Sequence, residues 1–463
     1  MSKIPESKYT HRLLAQIVIE AATPLAVGNG NKDIFTDSLV ATDCNGLPYI
    51  PATSIAGVMR GMREGNGSSS TSSPFGYLKG DEGHGSELIF TSAKVIGADG
   101  KVVDGMAAES VMKDPILSAY SRLPIRQHVC INDRGTAADK GKFDRQVVYA
   151  GSRFCFEIEL VAKNGEEAMF SSLLDTLFDR TFRIGGHTRA GMGEIKVVSI
   201  KRLTLDLTDP ADLDTYLAKS SCLASTFWDT HGEKVNGRDA YSEEYRYIRY
   251  DVALAPDSFF LFSSGFGDDE ADIMPVKGAR IIWENGKGRL RENLMLIPAT
   301  SIKGALAHRT AFHYNHMKGI FADKISDEER KMYTGNRNPA VKALFGSQGD
   351  ASSRASRGNV IISDIIGPGE GREKILNHVK LDRFSGGAVE GALFSEKVTS
   401  GKGTDLHLYV IVDRQGLVAS GAEDFEMMLD AFEKALADLC GGNLPLGGGV
   451  NRGHGRFTRT YTK

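Results

Sequence analysis

The feature that most constrains this 463-residue chain is that it states one pattern twice. "PYIPATSIAGVMRG" at 48–61 returns as "LIPATSIKGALAHR" at 296–309, with Pro51, Ala52, Thr53, Ser54, Ile55 and Gly57 recurring as Pro298, Ala299, Thr300, Ser301, Ile302 and Gly304. Self-similarity at half the chain length points to duplication of a whole domain rather than to a solenoid. Two further pairs follow in the same order. A histidine-led segment opens at His128 and again at His378, each carrying an Asp-Arg pair (Asp133-Arg134, Asp382-Arg383) before a small-residue stretch. A glycine-rich turn then closes each half, "IGGHTRAGMGEIKV" at 184–197 and "LGGGVNRGHGRFTRTY" at 446–461. The units are expected at 1–202 and 249–463, with 203–248 as connector.

Within each unit the spacing alternates between strands and helices. "LLAQIVIEAATPLAV", "SELIFTSAKVIG" and "SRFCFEIELVAK" have strand character, and "EEAMFSSLLDTLFDR" has helical spacing. The repeated stretch reads as a helix capped by Thr53 or Ser54. "EGNGSSSTSSPFG" is low in complexity and reads as a surface loop. The second unit repeats the plan, so each half fits β-α-β-β-α-β, an α+β fold of the ferredoxin-like kind.

Composition narrows the functional classes. With 41% hydrophobic and 25% charged residues the chain supports ordinary cores. It has no apolar run of membrane-spanning length and no signal-peptide pattern at its start, so a cytoplasmic protein without membrane contact is expected. Five scattered cysteines without CxxC spacing disfavour a disulfide framework or structural zinc. A net charge of −3 disfavours indiscriminate polyanion binding, although local basic stretches such as 278–293 remain.

Phosphate chemistry is suggested by two motifs. Consecutive glycines at Gly185-Gly186 and Gly447-Gly448 can turn backbone N–H groups toward an anion, with Arg189 and Arg452 adding charge; the same turns can also serve only to start a strand tightly. The repeated helix start offers N–H groups near Ser54 and Ser301, with Arg60, Lys303 and Arg309 further along; a solvated helix cap is the plainer reading.

A helix opened by P-A-T-S-I-x-G and a late glycine turn carrying an Arg and a G-x-G (GGHTRAGMG, GGGVNRGHG), on two β-α-β-β-α-β units, resembles the RAMP superfamily of CRISPR-associated proteins. More narrowly, the chain looks like the crRNA-binding backbone subunit of the Cas-seven family in type III (Csm/Cmr) effectors, two copies fused as in type III-D variants. The resemblance implies tandem ferredoxin-like domains with β-hairpin thumb insertions around His128 and His378. It implies as partners crRNA, complementary target RNA, a large polymerase-like subunit, further backbone subunits and a small subunit.

It also implies a catalytic aspartate between the first strand and the helix, followed by Ser/Asn, Pro and Val. Asp37 in "FTDSLV" fits that position, and Asp272 in "ADIMPV" fits with one extra residue before Pro275; Asp33, Asp268 and Asp269 are the substitutes. Asp37 would direct Mg²⁺ or another divalent cation in a metal-dependent endoribonuclease. A loop aspartate capping a turn is the bland alternative. The rival functions are a non-catalytic RNA-binding scaffold and a guide-processing endoribonuclease acting through histidine.

Overall fold

A computed structural model describes residues 8–463 except 35, 65–72, 133–134, 236–245, 348, 350–354, 368–370, 402–404 and 422–423. In the first half β1 (His11–Ala21) leads through a long loop to α1 (Ala52–Glu64). The hairpin β2 (Ile125–Ile131) and β3 (Ala137–Gln146) follows, then β4 (Arg153–Ala162), α2 (Glu167–Asp175) and β5 (Ile195–Asp206). α3 (Pro210–Leu217) and α4 (Phe227–His231) lead into the second half. It comprises β6 (Tyr247–Pro256), the hairpin β7 (Lys277–Glu284) and β8 (Lys287–Ile297), α5 (Ala299–Met317) and α6 (Pro339–Phe345). The hairpin β9 (Glu373–Leu381) and β10 (Ala388–Ser400), β11 (Leu406–Asp413) and α7 (Phe425–Cys440) complete it.

Each half builds an antiparallel sheet around its first strand. β1 lies between β5 and β4, and β4 pairs with the short strand Leu88–Phe90. β6 lies between β11 and the C-terminal strands at Phe457–Thr458 and Tyr461–Thr462, with Val360–Ile362 beyond β11. Both are the ferredoxin-like strand order, so the expected α+β duplication is present.

Alternation in "HRLLAQIVIEA" explains the layering. Leu13, Ala15, Ile17 and Ile19 are buried on the helix side with Ile55, Met59 and Phe170. Leu14 points to the opposite face, where Leu205 and Trp228 cover it. The stretch 203–248 therefore begins inside the sheet: β5 pairs with β1 as far as Asp206, and α3 and α4 fold back over the outer face. Asp214 and Asp229 are exposed on those helices.

The hairpin β7–β8 belongs to the second half by sequence but completes the first core. Ile281 is buried among first-half residues, with Ala279, Trp283 and Leu290 packed alongside. Ile281 donates its N–H to Ala150 O at 2.7 Å and Trp283 Nε1 donates to Gly151 O at 2.7 Å. Gly151 has φ +83°, and a Cβ there would lie 1.9 Å from Ile281 O, so no other residue fits.

Candidate nucleic-acid interface

The two insertions are hairpins built to the same register. His128 faces Phe143 across β2–β3 with ring centroids 4.9 Å apart, and His378 faces Phe394 across β9–β10 at 4.8 Å. Asp382 receives the N–H groups of Phe384 and Ser385 at the second hairpin tip. Asp133-Arg134, its counterpart, lies outside the described residues. Both histidines are therefore held in stacks, which disfavours a histidine-based guide-processing site.

One residue past each phenylalanine, the hairpin root clasps a loop aspartate. Asp37 N donates to Asp144 Oδ1 at 2.8 Å and Asp144 N donates back to Asp37 Oδ2 at 3.0 Å. In the second half Ser395 donates its N–H and hydroxyl to Asp272 Oδ2 at 2.7 and 2.9 Å. Those bonds hold the Asp272 carboxyl below the usual carboxylate range. Gln146 N reaches Ser38 O and Lys397 N reaches Ile273 O, which continues the correspondence along the chain.

This register corrects the sequence alignment of the two loops. Val40 bridges Gly28 and Pro275 bridges Ser263, so Pro275 is the counterpart of Val40 and the second loop holds no extra residue before it. Asp37 and Asp272 each stand three residues before that bridge, and no extra residue separates them. Asp33 and Asp268 fill the turn-capping role instead, accepting from Thr36 N and Ala271 N. Asp268 also pairs with Lys397 at 2.6 Å, which holds its carboxyl at about 2.

Asp37 and Asp272 are exposed. Asp37 and Asp144 present hard oxygen donors side by side, which suits Mg²⁺, a cation commonly held by one or two carboxylates plus water and substrate phosphate. No group of three His, Cys, Asp or Glu placed to cage a metal occurs among the described residues. The second root has Ser395 where the first has Asp144.

Cations from both halves meet at the seam between them. The first glycine turn is a short 3₁₀ segment, Thr188–Ala190, between His187 and Gly191 in left-handed conformations. A Cβ on Gly191 would lie 2.5 Å from that of Ala299, so the turn abuts the start of α5. Lys303 lies beside Arg189 there; burial, then that neighbouring charge, depresses its amine to about 8. Arg189 itself is held at about 10 by burial and by Arg357, with Asp413 partly offsetting them. Buried Nε atoms of Arg145 and Arg189 and Nε2 of His128 have no hydrogen-bond partner among the described residues.

The same field keeps two imidazoles neutral. Burial, then His187 and Arg145, lowers His128 to about 4; burial, then Arg145 and Lys303, lowers His187 to about 4. In the unfolded chain both take protons near 6.5, so folding stability should fall as pH drops from about 6.5 to about 4. Thermal melts across that window should be flatter for the His128→Asn/His187→Asn variant than for the unaltered chain; parallel curves would remove the histidines from the account.

Other residues singled out from the sequence have internal duties. Arg309 pairs with Asp438 at 2.5 Å, Arg452 pairs with Glu396 at 2.5 Å, and Arg60 donates to Gly76 O at 3.1 Å. Gly186 and Gly448 bond Ala26 O and Leu261 O through their N–H groups, at 2.8 and 2.7 Å. Gly185 and Gly447 have φ of +89° at the two turn starts. Ser54 and Ser301 are half-buried within the first helical turn and do not cap. Because Pro51 and Pro298 precede the helices, the first N–H is met from outside: Ala52 by Ser92 Oγ at 3.3 Å, Ala299 by Asp364 Oδ1 at 2.8 Å. Asp364 is buried and also pairs with Arg126 of β2 at 3.2 Å.

Asp144, Ser395, Arg145, Glu396 and Asp364 escaped the sequence reading. Only the pairing of the two hairpins from their His/Phe partners outward would have exposed the first four.

A duplicated ferredoxin-like unit, with a hairpin clasping a loop carboxylate and a cationic seam, defines a class of tandem α+β proteins. Residues 18–196 and 275–458 each match the RAMP superfamily, and the chain belongs to that superfamily. No curated protein matches the chain. Among solved structures it is similar to a chain of a Type IV-B CRISPR complex, at 19% identity and a TM-score of 0.30, covering 46% of this chain and 90% of that one.

Proposed function

We propose that the chain is a fused two-unit backbone subunit of a type III RNA-guided effector. It binds crRNA along the seam, exposes bases for pairing, and cuts complementary target RNA beside Asp37 and Asp272. Its expected partners are a large polymerase-like subunit, further backbone subunits and a small subunit. Superfamily membership supports the reading. The observation that carries it is the meeting of Lys303 and Arg189 at the seam, because two adjoining, partly desolvated cations that Asp413 only partly offsets gain from a further anion.

For the cut, RNA carries its own nucleophile in the 2′-hydroxyl, so the protein's task is to hold the strand in line. The clasp between Asp37 and Asp144 fixes the loop against the hairpin root and keeps the Asp37 carboxylate at a defined place facing solvent. A divalent cation there would supply charge compensation at the scissile phosphate.

Lys303→Ala tests the binding half. Affinity for a single-stranded RNA should fall, and the slope of log affinity against log salt should become shallower by about 0.7, the value of one phosphate contact. The fold should survive, because Lys303 has no ion-pair partner among the described residues. An unchanged slope would count against the seam as the RNA path.

A further inference from the structure

The two hairpin roots carry opposite charges at one register position. Arg145 and Glu396 each stand two residues beyond the phenylalanine that stacks on histidine. Both point toward the glycine turn of their own half. A Cβ on Gly186 would lie 2.9 Å from Arg145 Nη1. Glu396 accepts from Arg452 Nη2 at 2.5 Å and His378 Nε2 at 2.9 Å, with His454 Nε2 at 3.3 Å.

The turns themselves superpose in their bonding. Ile184 N bonds Gly193 O as Leu446 N bonds Gly455 O, and Ala190 N bonds His187 O as Arg452 N bonds Gly449 O. Arg452 and His454 thus occupy the places of Ala190 and Met192. In the second half a fully buried carboxylate is ringed by a guanidinium and two imidazoles. Burial alone would raise Glu396, yet the bonds from His378 and Arg452 outweigh it and keep the group below the usual range.

In the first half the basic surroundings are present, and among the described residues no carboxylate pairs with Arg145, His128 or His187. Arg145, His128 and His187 converge there, with Lys303 acting on His187 across the seam. Asp144, a carboxylate acting on His128, is engaged by the Asp37 amide. The buried Nε of Arg145 and the buried Nε2 of His128 lack partners among the described residues.

We infer that the first hairpin root is a seat for one phosphodiester oxyanion, and that Glu396 fills the equivalent seat in the second half and closes it to RNA. The inference rests on the RNA-binding reading. It makes the two halves unequal holders of one strand: each chain grips the backbone at one hairpin root, not two.

Salt-dependent binding of a single-stranded RNA to the full chain tests this. Arg145→Gln should weaken binding several-fold and make the salt slope shallower by about 0.7, whereas Glu396→Gln should free the second ring for a phosphate and steepen the slope by a similar amount. Should Glu396→Gln fail to fold, Arg145→Glu decides in its place, since it writes the second half's anion into the first and should cost at least as much affinity as Arg145→Gln. If neither Arg145 variant changes the slope while Lys303→Ala does, the seat is wrong and the RNA reading stands. A folded Glu396→Gln chain with an unchanged slope overturns the closure. An unaltered chain that does not bind RNA sinks the inference and the reading together.

Discussion

Asp37→Ala is expected to leave the chain folded and guide-bound while slowing one cut of a complementary RNA by at least about a hundredfold. That factor corresponds to about 2.7 kcal/mol of lost transition-state stabilisation, within what a metal-directing carboxylate supplies. Folding should be spared because the side chain is exposed and its hydrogen bond, among the described residues, is to Asp144 N. Asp272→Ala should remove a different product, displaced along the target, since the register of the two hairpins makes the loops equivalent. An end-labelled target incubated with Mg²⁺, with EDTA as control, maps the cuts. A product ladder unaltered in the Asp37→Ala complex would sink the catalytic reading and leave a binding scaffold.

Asp364→Ala should cost about 3–5 kcal/mol of folding stability, the usual penalty for stranding one member of a buried pair. The carboxylate is held between Arg126 of the first half and Ala299 N of the second, so its loss strands a mostly buried guanidinium and uncovers the start of α5. Asp364→Asn keeps the volume and an acceptor and should cost less. Burial raises the Asp364 carboxyl against the opposing pull of Arg126 and the Ala299 amide. The folded state therefore holds that proton more tightly than the unfolded chain, and this group's contribution favours folding at acid pH and fades as pH rises through its folded value. Denaturant midpoints of the two variants measure both points; equal midpoints for Asp364→Ala and the unaltered chain would show that the seam does not depend on this contact.

The duplicated plan was legible because it rests on local signals: a repeated helix start, alternating strands and glycine turns. Lys303 was singled out by its place in the repeated helix start, and Asp37 only through the family resemblance. Their partners were not. Asp144 meets Asp37 across 107 residues and Asp364 meets Ala299 across 65, so pairing and not spacing brings them together. Thr53 and Ser54 look like caps in sequence, yet the preceding proline starts the helix at Ala52, and Ser92 supplies the acceptor. The stretch after residue 203 reads as acidic linker because its aspartates dominate the sequence, while Leu205 and Trp228 lock it to the first sheet.

The hairpin β7–β8 bears on how the protein is made. Ile281 and Trp283 close the core formed by the first 200 or so residues, against Ala150 and Gly151. A ribosome adds roughly 5–20 residues per second, so the nascent first half waits several seconds to tens of seconds, with part of its apolar interior uncovered, before its last wall emerges. Gene fragments ending near residue 202 should therefore yield aggregation-prone product, and fragments extended past residue 297 should not.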